Sequence, residues 1–226
     1  MQHELKITGD GSPTIYVPDL NEHYHSIYGA YNESMHVFIQ NGLLHLMQAG
    51  KTEITILEIG LGTGLNLLLT YRESLTAEIK IQYHALEPFP PEQEIIDKMH
   101  FNIPGYEDSE NIFNKIHLAP FDETITFSPQ FEFKKMKSRL EDFNPEIKYD
   151  LIYFDAFGPR VQPEIWSLEN FKKLFEATKT GGVLVTYCSK GDVRRTMLAA
   201  GFVVEKLAGP PHKREMLRAN KTGVIL

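Results

Sequence analysis

Strand-like and helix-like segments alternate between residues 53 and 202, and this alternation restricts the fold more than any other feature of the sequence. The segments "ITILEIG", "YDLIYFDA" and "VLVTYC" are uninterrupted apolar runs, as in strands buried on both faces of a parallel sheet. Two strand-like segments, "FVVEKLAG" and "REMLRANK", then follow one another directly. The pattern predicts an α/β fold with a Rossmann-like, mostly parallel sheet that ends in a C-terminal antiparallel hairpin.

The helices between these strands are predicted from their flanking residues. "PPEQEIIDKMH" and "SENIFNKIHL" are predicted helices, and "PEIWSLENFKKLFEATKTGG" is a longer one that ends at Gly181–Gly182. The first fifty residues are polar, aromatic and rich in turn residues, which predicts a short hairpin and a helix beside the core. We therefore divide the chain into a small N-terminal extension, residues 1–50, and a main domain, residues 51–226.

Composition excludes several classes of protein. The chain has 226 residues, 42% of them hydrophobic, which is enough for a substantial core. Its single cysteine, Cys188, rules out an intramolecular disulfide framework, and its nine histidines show no metal-like spacing. The N-terminus is unlike a signal peptide, and no apolar run approaches the roughly 20 residues of a membrane helix. We expect a cytoplasmic protein with neither a membrane span nor a metal.

The segment "LEIGLGTGLN" places Gly60, Gly62 and Gly64 between the first buried strand and a helix. Glycines allow a sharp turn and let a ligand approach the backbone, and the helix N-terminus offers free N–H groups. The spacing G-x-G-x-G differs from the G-x-G-x-x-G of folds that bind a dinucleotide pyrophosphate. Glycine turns also serve plain packing, so this one indicates a ligand only together with other residues.

Acidic residues at the ends of neighbouring strands supply the second signal. Glu58 lies just before the first glycine, Glu87 ends the second strand, and Asp155 follows "YDLIYF". A carboxylate in the position of Glu87 can accept both ribose hydroxyls of an adenosine. Turn and acid together predict a nucleoside cofactor without pyrophosphate, S-adenosylmethionine. Glu58 then either binds the ammonium group of the methionine part of the cofactor or is a structural acid in the core. Phe89 is a candidate cover for the adenosine, and Asn66 binds the cofactor or only backbone groups.

Charge is unevenly distributed along the chain. The net charge of −7 argues against indiscriminate binding of nucleic acid. Basic residues nevertheless cluster in "FKKMKSR", "KGDVRR" and "HKREMLRANK". These clusters are either solvated faces or a crescent for a polyanion, and composition alone favours solvated faces.

Several longer motifs resemble one known family. "LEIGLGTGLN", "EPFP", "FDAFGPRVQPEIWS", "GDVRRTMLAAGF" and "GPPHKREML" are together similar to the methyltransferase of the MnmC/MnmD family of tRNA wobble-uridine modification enzymes, above all to its stand-alone form. The similarity extends from about residue 10 to about residue 220. It implies a class I methyltransferase domain that uses S-adenosylmethionine. The implied reaction methylates the primary amine of 5-aminomethyl-(2-thio)uridine at the tRNA wobble position, giving the 5-methylaminomethyl product.

The resemblance also implies the partner and the remaining cofactor requirements. The bifunctional relatives carry a second, FAD-dependent domain. Because the resemblance is strongest to the stand-alone form, we expect that domain to be missing here, and we expect no flavin and no metal. The expected partner is the anticodon stem-loop of a tRNA, and no oligomeric state is predicted. The basic residues assigned to its phosphates are Arg160, Lys190, Arg194, Arg195, Lys213 and Arg214. His23, Tyr24 and His25 are candidates for the mouth of the site.

Asp155 is the candidate catalytic residue. Methyl transfer needs a neutral amine, whereas an alkylamine is mostly protonated near pH 7, and a carboxylate can orient the amine and take its proton. Phe157 and Pro159 are candidates for a wall against a flipped base, with ordinary loop packing as an equal alternative. The family's usual Gly-Asp, whose acid reads adenine, is replaced here by Lys137–Ser138. Adenine recognition is therefore assigned to Ser138 or to backbone groups.

Three alternatives to this function remain at the level of sequence. An aminopropyltransferase shares the fold and a catalytic Asp, but it would have a more acidic groove than the loop that carries Arg160. A non-catalytic protein of the same fold that only binds tRNA is disfavoured by the intact glycines and acids. A nicotinamide dehydrogenase is disfavoured by the absence of G-x-G-x-x-G.

Overall fold

The strand-like segments form two β-sheets in the computed structural model, which describes residues 3–223. One is a three-stranded antiparallel sheet near the N-terminus, and the other has eight strands. In chain order the strands are β1 (Glu4–Ile7), β2 (Pro13–Val17), β3 (Glu22–His23), β4 (Glu53–Ile59), β5 (Lys80–Leu86), β6 (Thr124–Ser128), β7 (Phe131–Met136), β8 (Tyr149–Phe154), β9 (Thr178–Thr186), β10 (Val203–Ala208) and β11 (Glu215–Asn220).

The large sheet has the strand order β10-β11-β9-β8-β4-β5-β7-β6. Its five central strands, from β9 to β7, run parallel. At one edge β11 is inserted between β9 and β10 and is antiparallel to both, and at the other edge β6 is antiparallel to β7. The predicted α/β fold with a mostly parallel sheet and a C-terminal antiparallel hairpin is confirmed.

Helices cover both faces of this sheet, as right-handed crossovers between parallel strands require. In chain order they are α1 (Ala30–Ser34), which continues through a π-helix (Met35–Leu43) into α2 (Leu44–Gln48), then α3 (Leu65–Ala77), α4 (Gln93–Ile96), α5 (Ser109–Leu118), a 3₁₀ turn (Pro163–Trp166), α6 (Leu168–Ala177) and α7 (Gly191–Ala199). Within residues 3–223 no helix is long and apolar enough to cross a membrane.

The N-terminal segment packs against the central sheet. The predicted hairpin is a three-stranded sheet, because β3 adds to β2. The π-helix lies against the middle of the large sheet at Gly42, where a Cβ would come within 3.1 Å of Val185 and 3.2 Å of Tyr153. Val37 and Phe38 on the same helix are fully buried. Residues of the extension and of the main domain therefore share one hydrophobic core.

Strand β8 separates the two halves of the core, since its successive side chains point to opposite faces. Tyr153 packs on Phe38 of the π-helix, with ring centroids 5.2 Å apart. Phe154 packs on Trp166 on the other face, with centroids 4.6 Å apart. All six residues of β8 are buried, which explains why the sequence shows an apolar run here with no polar alternation.

Strand β8 has an acid at each end, and the one at its start is paired. The Asp150 carboxylate accepts hydrogen bonds from the ammonium groups of Lys51 at 2.6 Å and Lys179 at 2.7 Å and from the Thr55 N–H at 3.0 Å. Burial raises the pKa of Asp150, but these partners outweigh it and hold that pKa below its ordinary value. Asp150 is therefore a structural carboxylate.

Two boundaries differ from the prediction. The long helix predicted to end at Gly181–Gly182 is broken at Ser167, whose side chain accepts the Asn170 N–H at 3.2 Å and caps α6. Thr178 is already extended and begins β9, as suits a buried β-branched residue. The helix predicted over "PPEQEIIDKMH" is reduced to α4. Strand β6 has no predicted counterpart, because it is short and only Ile125 and Phe127 supply an apolar face.

Candidate active site

The carboxyl ends of β4, β5 and β8 meet at one edge of the sheet and bring the predicted site residues together. The Gly60 N–H donates to the Leu86 carbonyl at 3.0 Å, and the Asp155 N–H donates to the Ile59 carbonyl at 3.0 Å. The glycine turn after β4 thus lies between the residues that follow β5 and β8. In open α/β sheets this edge is where ligands bind.

The turn requires glycine for two separate reasons. Gly60 has φ = 88°, and a Cβ there would lie 2.8 Å from the Asp155 carbonyl oxygen. Gly64 has φ = 75° as the N-cap of α3, and its Cβ would lie 3.0 Å from Ile116. Gly62 lies in the middle, and its N–H donates to Oε2 of Glu87 at 2.8 Å. The turn is therefore held by the close approach of Gly60 to the backbone of Asp155 and by the hydrogen bond from Gly62 to Glu87.

Thr63, within the same turn, is held by two histidines from outside it. Nε2 of His25 lies 3.3 Å from the Thr63 hydroxyl, and Nδ1 of His25 lies 3.2 Å from the hydroxyl of Thr14 on β2. Nε2 of His117, on α5, donates to the Thr63 carbonyl at 3.0 Å. Burial lowers the pKa of both histidines to about 4, so both are neutral near pH 7. The turn is thus tied to the N-terminal sheet and to α5.

Glu87 is almost fully buried and bridges the turn and the segment that follows β5. Its Oε2 accepts the Gly62 N–H, and its Oε1 accepts the Phe89 N–H at 2.9 Å. Burial raises the pKa of Glu87, and these two hydrogen bonds partly offset the rise. Each carboxylate oxygen has a second lone pair available for another donor. Glu87 thus has an acceptor lone pair on each oxygen that these two N–H groups do not use.

Three polar side chains connect the buried interior to Asp155. The amide nitrogen of Asn66 donates to Oε1 of Glu58 at 2.9 Å and to Oδ2 of Asp155 at 2.8 Å. The Tyr83 hydroxyl donates to Oε2 of Glu58 at 2.9 Å. Glu58 is 0% exposed, and burial raises its pKa well above the ordinary value. Glu58 therefore acts on the site only through Asn66, whose Oδ1 is buried without a hydrogen-bond partner among residues 3–223.

Asp155, at the other end of β8 from Asp150, has no cationic hydrogen-bond partner in the described part of the chain. Its side chain is half-buried and faces a cavity. Removal from water and the nearby negative charge of Glu33 raise its pKa to about 7, against the opposing effects of Asn66 and Lys213. Asp155 is therefore a carboxyl group that exchanges a proton near neutral pH, a property common at catalytic sites.

The cavity at this edge has a volume of about 570 Å³, within the roughly 300–1,000 Å³ usual for small-molecule sites. The predicted site residues that line it are Gly60, Gly62, Glu87, Phe89, Ser138, Asp155 and Phe157. Glu58, Gly64 and Asn66 do not line it and instead support its wall. Pro159 and Arg160 lie in the loop after β8 but not on the cavity.

One end of the cavity carries an exposed aromatic ring. Phe89 is 52% exposed, and the guanidinium of Arg139 lies 5.1 Å from its ring centroid. Arg139 and Ser138 follow directly after β7, and the Ser138 hydroxyl donates to the Arg139 carbonyl at 3.0 Å. A flat ligand such as a nucleobase can stack on this face. Arg139 belongs to the cluster "FKKMKSR", but nothing in the sequence singles it out within that cluster.

The loop after β8 is held in place from several directions. The indole N–H of Trp166 donates to the Phe157 carbonyl at 2.9 Å, and the Tyr187 hydroxyl donates to the Ala156 carbonyl at 2.9 Å. Tyr24 packs edge-on against the Phe157 ring, with centroids 5.2 Å apart. Sequence reasoning placed Tyr24 at the mouth of the site but missed Tyr187, which follows β9 and carries no local signal.

Some of the basic residues that the sequence assigns to a polyanion are paired with acidic side chains. Arg160 donates to Glu22 at 2.5 Å, Arg195 pairs with Asp192, and Lys213 pairs with Glu33. Lys190 and Arg214 are exposed, and Arg194 is half-buried. The local positive charge at these residues is thus smaller than the basic clusters in the sequence indicate. Within residues 3–223, no group of three or more His, Cys, Asp or Glu side chains is placed to hold a metal ion.

The profile of a family described as S-adenosyl-L-methionine-dependent methyltransferase matches residues 91–222, more than half of the chain. The chain belongs to this family. It is therefore an S-adenosyl-L-methionine-dependent methyltransferase, and this finding favours methyl transfer over the aminopropyl-transfer, hydride-transfer and non-catalytic alternatives.

Individual relatives are more specific. The chain is 28% identical to the "tRNA 5-methylaminomethyl-2-thiouridine biosynthesis bifunctional protein MnmC" of Cupriavidus metallidurans, over 93% of the chain and 32% of that protein. It is 30% identical to the protein of the same name from Leptospira borgpetersenii, over 86% of the chain and 31% of that protein. The chain thus spans about a third of the length of these curated relatives. The crystal structure of MNMC2 from Aquifex aeolicus superimposes with a TM-score of 0.83 at 25% identity, covering 99% of this chain and 72% of that one.

The residues at the sheet edge fit the family's cofactor. The glycine turn presents backbone where a Cβ at Gly62 would come within 3.1 Å of Tyr24, so a side chain there would narrow the cavity. Glu87 offers two carboxylate oxygens with lone pairs to spare, which suits a pair of ribose hydroxyls. Phe89 offers an exposed ring face. Each of these groups lines the same cavity.

Proposed function

We propose that this methyltransferase modifies the primary amine of 5-aminomethyl-(2-thio)uridine at the wobble position of tRNA and forms the 5-methylaminomethyl derivative. The observation that carries the proposal is Asp155, a carboxyl group with a pKa of about 7 that faces the cavity. The names of the relatives from Cupriavidus metallidurans and Leptospira borgpetersenii support the choice of substrate. In the proposal, residues 1–50 are an extension of a methyltransferase domain formed by residues 51–226, and the protein acts in the cytoplasm.

The cofactor is assigned to the large cavity. Glu87 binds the ribose hydroxyls, Phe89 stacks on the adenine, and Ser138 or its backbone reads the adenine edge. Gly60 and Gly62 let the cofactor approach the backbone, while Gly64 sets the turn into α3. The buried pair of Glu58 and Asn66 orients Asp155 through the two hydrogen bonds of the Asn66 amide.

The chemistry assigned to Asp155 follows from the state of the acceptor. S-adenosylmethionine supplies an electrophilic methyl group on a sulfonium. The acceptor amine must be neutral to attack it, although a free alkylamine has a pKa near that of lysine. Asn66 holds Oδ2 of Asp155 through a 2.8 Å hydrogen bond, which leaves Oδ1 to orient the amine and take its proton.

The tRNA is assigned to the surface around the loop that follows β8. Phe157 and Pro159 form a wall for the flipped base, and Tyr24 and Trp166 support it by the contacts described above. Basic residues around the site position the phosphates of the anticodon stem-loop, namely Arg160, Lys190, Arg194, Arg195 and Arg214, whereas Lys213 is paired with Glu33. The pairing of Arg160 and Arg195 with acids keeps non-specific affinity for nucleic acid low.

The decisive test is an acceptor assay with radiolabelled S-adenosylmethionine. The purified protein is incubated with tRNA from cells that lack the final methylation step. A parallel reaction contains a polyamine at the same concentration of primary amine. We expect label in the wobble nucleoside only, as 5-methylaminomethyl-(2-thio)uridine after digestion and chromatography. Label in the polyamine alone, or in a different nucleoside, contradicts the proposed substrate.

Replacement of Glu87 by glutamine should weaken cofactor binding by about tenfold to a hundredfold, the range expected when hydrogen bonds to a charged acceptor are lost. Isothermal titration with S-adenosylhomocysteine measures this change. Glu94→Gln is the matched control, because Glu94 is exposed on α4 and bonds only to Lys98. Equal affinities of the two variants would remove Glu87 from the cofactor site.

The rate of methyl transfer should depend on pH through Asp155. Because its pKa is raised to about 7, the carboxylate form is scarce below that pH, and kcat should rise with pH through neutrality and then level off. Single-turnover rates between pH 5.5 and 8.5, at saturating RNA and cofactor, give the profile. A kcat that is already constant at pH 5.5 would exclude Asp155 as the proton acceptor.

A further inference from the structure

A second cavity, of about 250 Å³, lies beside the large one and is bordered by β3 of the N-terminal sheet. Tyr24 and Tyr187 line both cavities and form the wall between them. The small cavity is otherwise lined by Glu22, His23, His25, Ser26, Ile27, Glu33 and Lys213. None of the cofactor-side residues, neither the glycine turn nor Glu87, lines it. It is thus placed on the acceptor side of the site.

Glu33 is the buried acid of this cavity. It lies on α1 and is only 6% exposed. Its Oε2 accepts the Ser26 N–H at 2.8 Å, and its Oε1 accepts a hydrogen bond from the Lys213 ammonium. Its charge reaches Asp155, since it contributes to the raised pKa of that carboxyl group. A buried carboxylate needs a cation close by, because an unpaired one is strongly unfavourable.

Lys213 supplies that cation from a distant part of the chain, the turn between β10 and β11. Its ammonium lies 4.4 Å from the centroid of the Tyr187 ring as well as against Glu33. A carboxylate together with an aromatic face is the combination that recognises organic ammonium ions. The Lys213 side chain is 33% exposed, so part of it is already in contact with solvent.

The other charges around the small cavity are already balanced. Glu22 accepts a hydrogen bond from Arg160. His25 is neutral near pH 7, because burial lowers its pKa to about 4, and burial also lowers the pKa of His23. When Lys213 moves away, the cavity has the uncompensated charge of Glu33, with Asp155 within electrostatic reach. A second cation of similar size is then favoured in the same place.

We propose that Glu33 and the ring of Tyr187 form the binding site for the alkylammonium group of the acceptor nucleotide, and that Lys213 occupies this site until the acceptor displaces it. The inference rests on the proposed function for the identity of the acceptor. It assigns Lys213 a different role from the phosphate contact assigned from its sequence cluster. The aminomethyl group enters as a cation and binds first between Glu33 and Tyr187. From there it moves past Tyr187, which lines both cavities, to Asp155, where it loses its proton before the methyl transfer.

Competition for one cation site also explains selectivity. A uridine without the aminomethyl group cannot replace the Lys213 ammonium, so Lys213 stays paired with Glu33. An aminomethyl-uridine exchanges one ammonium for another at little electrostatic cost. The site therefore discriminates by charge, before any methyl transfer takes place.

Binding of two RNAs tests this inference without relying on turnover. One is an anticodon stem-loop with 5-aminomethyluridine at the wobble position, and the other has uridine there. Their affinities are measured by fluorescence anisotropy in the presence of S-adenosylhomocysteine. The wild-type protein should prefer the aminomethyl RNA by about tenfold or more, as expected for one charge-assisted contact. Glu33→Gln should abolish this preference and leave the affinity for the uridine RNA unchanged.

Lys213→Met separates the two roles of the lysine. If Lys213 competes for the ammonium site, its removal strengthens binding of the aminomethyl RNA and leaves the uridine RNA unchanged. An equal loss of affinity for both RNAs would make Lys213 a phosphate contact and overturn the inference.

A second pair of variants covers the case in which Glu33→Gln does not fold. Tyr187→Leu removes the aromatic face and should reduce the preference, whereas Tyr187→Phe keeps the ring and should retain it. Affinity for S-adenosylhomocysteine reports that each variant is folded. If the wild-type protein methylates the aminomethyl RNA but Glu33→Gln and Tyr187→Leu keep the preference, the inference alone is wrong. If the wild-type protein neither prefers nor methylates that RNA, the proposed function and the inference both fail.

Discussion

Replacement of Asp155 by asparagine is expected to lower kcat by about 10²- to 10⁴-fold, the usual contribution of a positioned proton acceptor. Asparagine has the same shape and can still accept the hydrogen bond from Asn66, so the affinity for S-adenosylhomocysteine should not change. What is lost is the ability to take a proton from the acceptor amine. Single-turnover methylation and isothermal titration on the same preparation separate the two quantities. A variant that retains the wild-type rate would end the assignment.

The same substitution should stabilise the fold above neutral pH. The folded-state pKa of about 7 lies above the ordinary value of 3.8, so the folded chain binds the proton more tightly. The free energy of unfolding therefore decreases as pH rises from about 4 to about 7, and Asp155→Asn removes this decrease. Thermal melts at pH 8 should show a higher Tm for the variant.

Asp150→Asn, at the other end of β8, is the control variant, because it should change Tm at pH 8 in the opposite direction. The pKa of Asp150 is lowered by Lys179 and Lys51, so its carboxylate contributes stability at all pH values above the ordinary range and loses it in acid. At pH 8 this variant should melt below the wild-type protein. If both variants shift Tm in the same direction, the pKa values of Asp150 and Asp155 are not shifted in opposite directions by the fold.

Replacement of Gly60 by alanine is the second change with a large expected effect, namely loss of measurable cofactor binding. The new Cβ would lie 2.8 Å from the Asp155 carbonyl oxygen and 3.3 Å from its carbon, both in backbone that cannot rotate away. The turn and the residue after β8 must then separate, which moves Glu87 and Asp155 relative to each other. Isothermal titration and methylation assays should both report inactivity.

Gly50→Ala isolates the contribution of the backbone angle. Gly50 has φ = 87°, almost the same as the 88° of Gly60, but no atom lies within 4 Å of its Cβ position. The left-handed conformation alone costs roughly 1–2 kcal/mol, and each kcal/mol corresponds to about 2–4 °C in Tm for a chain of this size. Gly50→Ala should show this small loss of Tm with normal activity. Equal behaviour of the two variants would mean that the close approach at Gly60 has no functional role.

The sequence predicts those parts of the site that depend on local pattern. Apolar β-branched runs identify the parallel strands, and residues directly after such strands must meet at one edge of the sheet. This is why Gly60, Glu87 and Asp155 can be placed together from sequence. Which acid is free and which is paired depends on Lys51 and Lys179, distant in sequence, so Asp150 and Asp155 look alike until the fold is known.

The proposed binding site for the acceptor amine cannot be predicted from local sequence patterns. Glu33 lies on a short helix, Tyr187 follows the central strand β9, and Lys213 lies in a hairpin turn, so only the tertiary fold brings them together. The pairing of Lys213 with Glu33 spans 180 positions in the sequence. Their residue types predict only surface charge and core packing when each is considered alone.

His25 connects the linings of the two cavities through its contact with Thr63. It lines the small cavity, and its ring also contacts Thr63 in the turn that borders the large one. A ligand that orders the turn therefore also orders part of the lining of the neighbouring cavity. By reciprocity, any increase in acceptor affinity caused by the cofactor equals the increase in cofactor affinity caused by the acceptor. If S-adenosylhomocysteine strengthens binding of the proposed RNA product in this way, its release weakens that binding by the same factor, and the converse also holds.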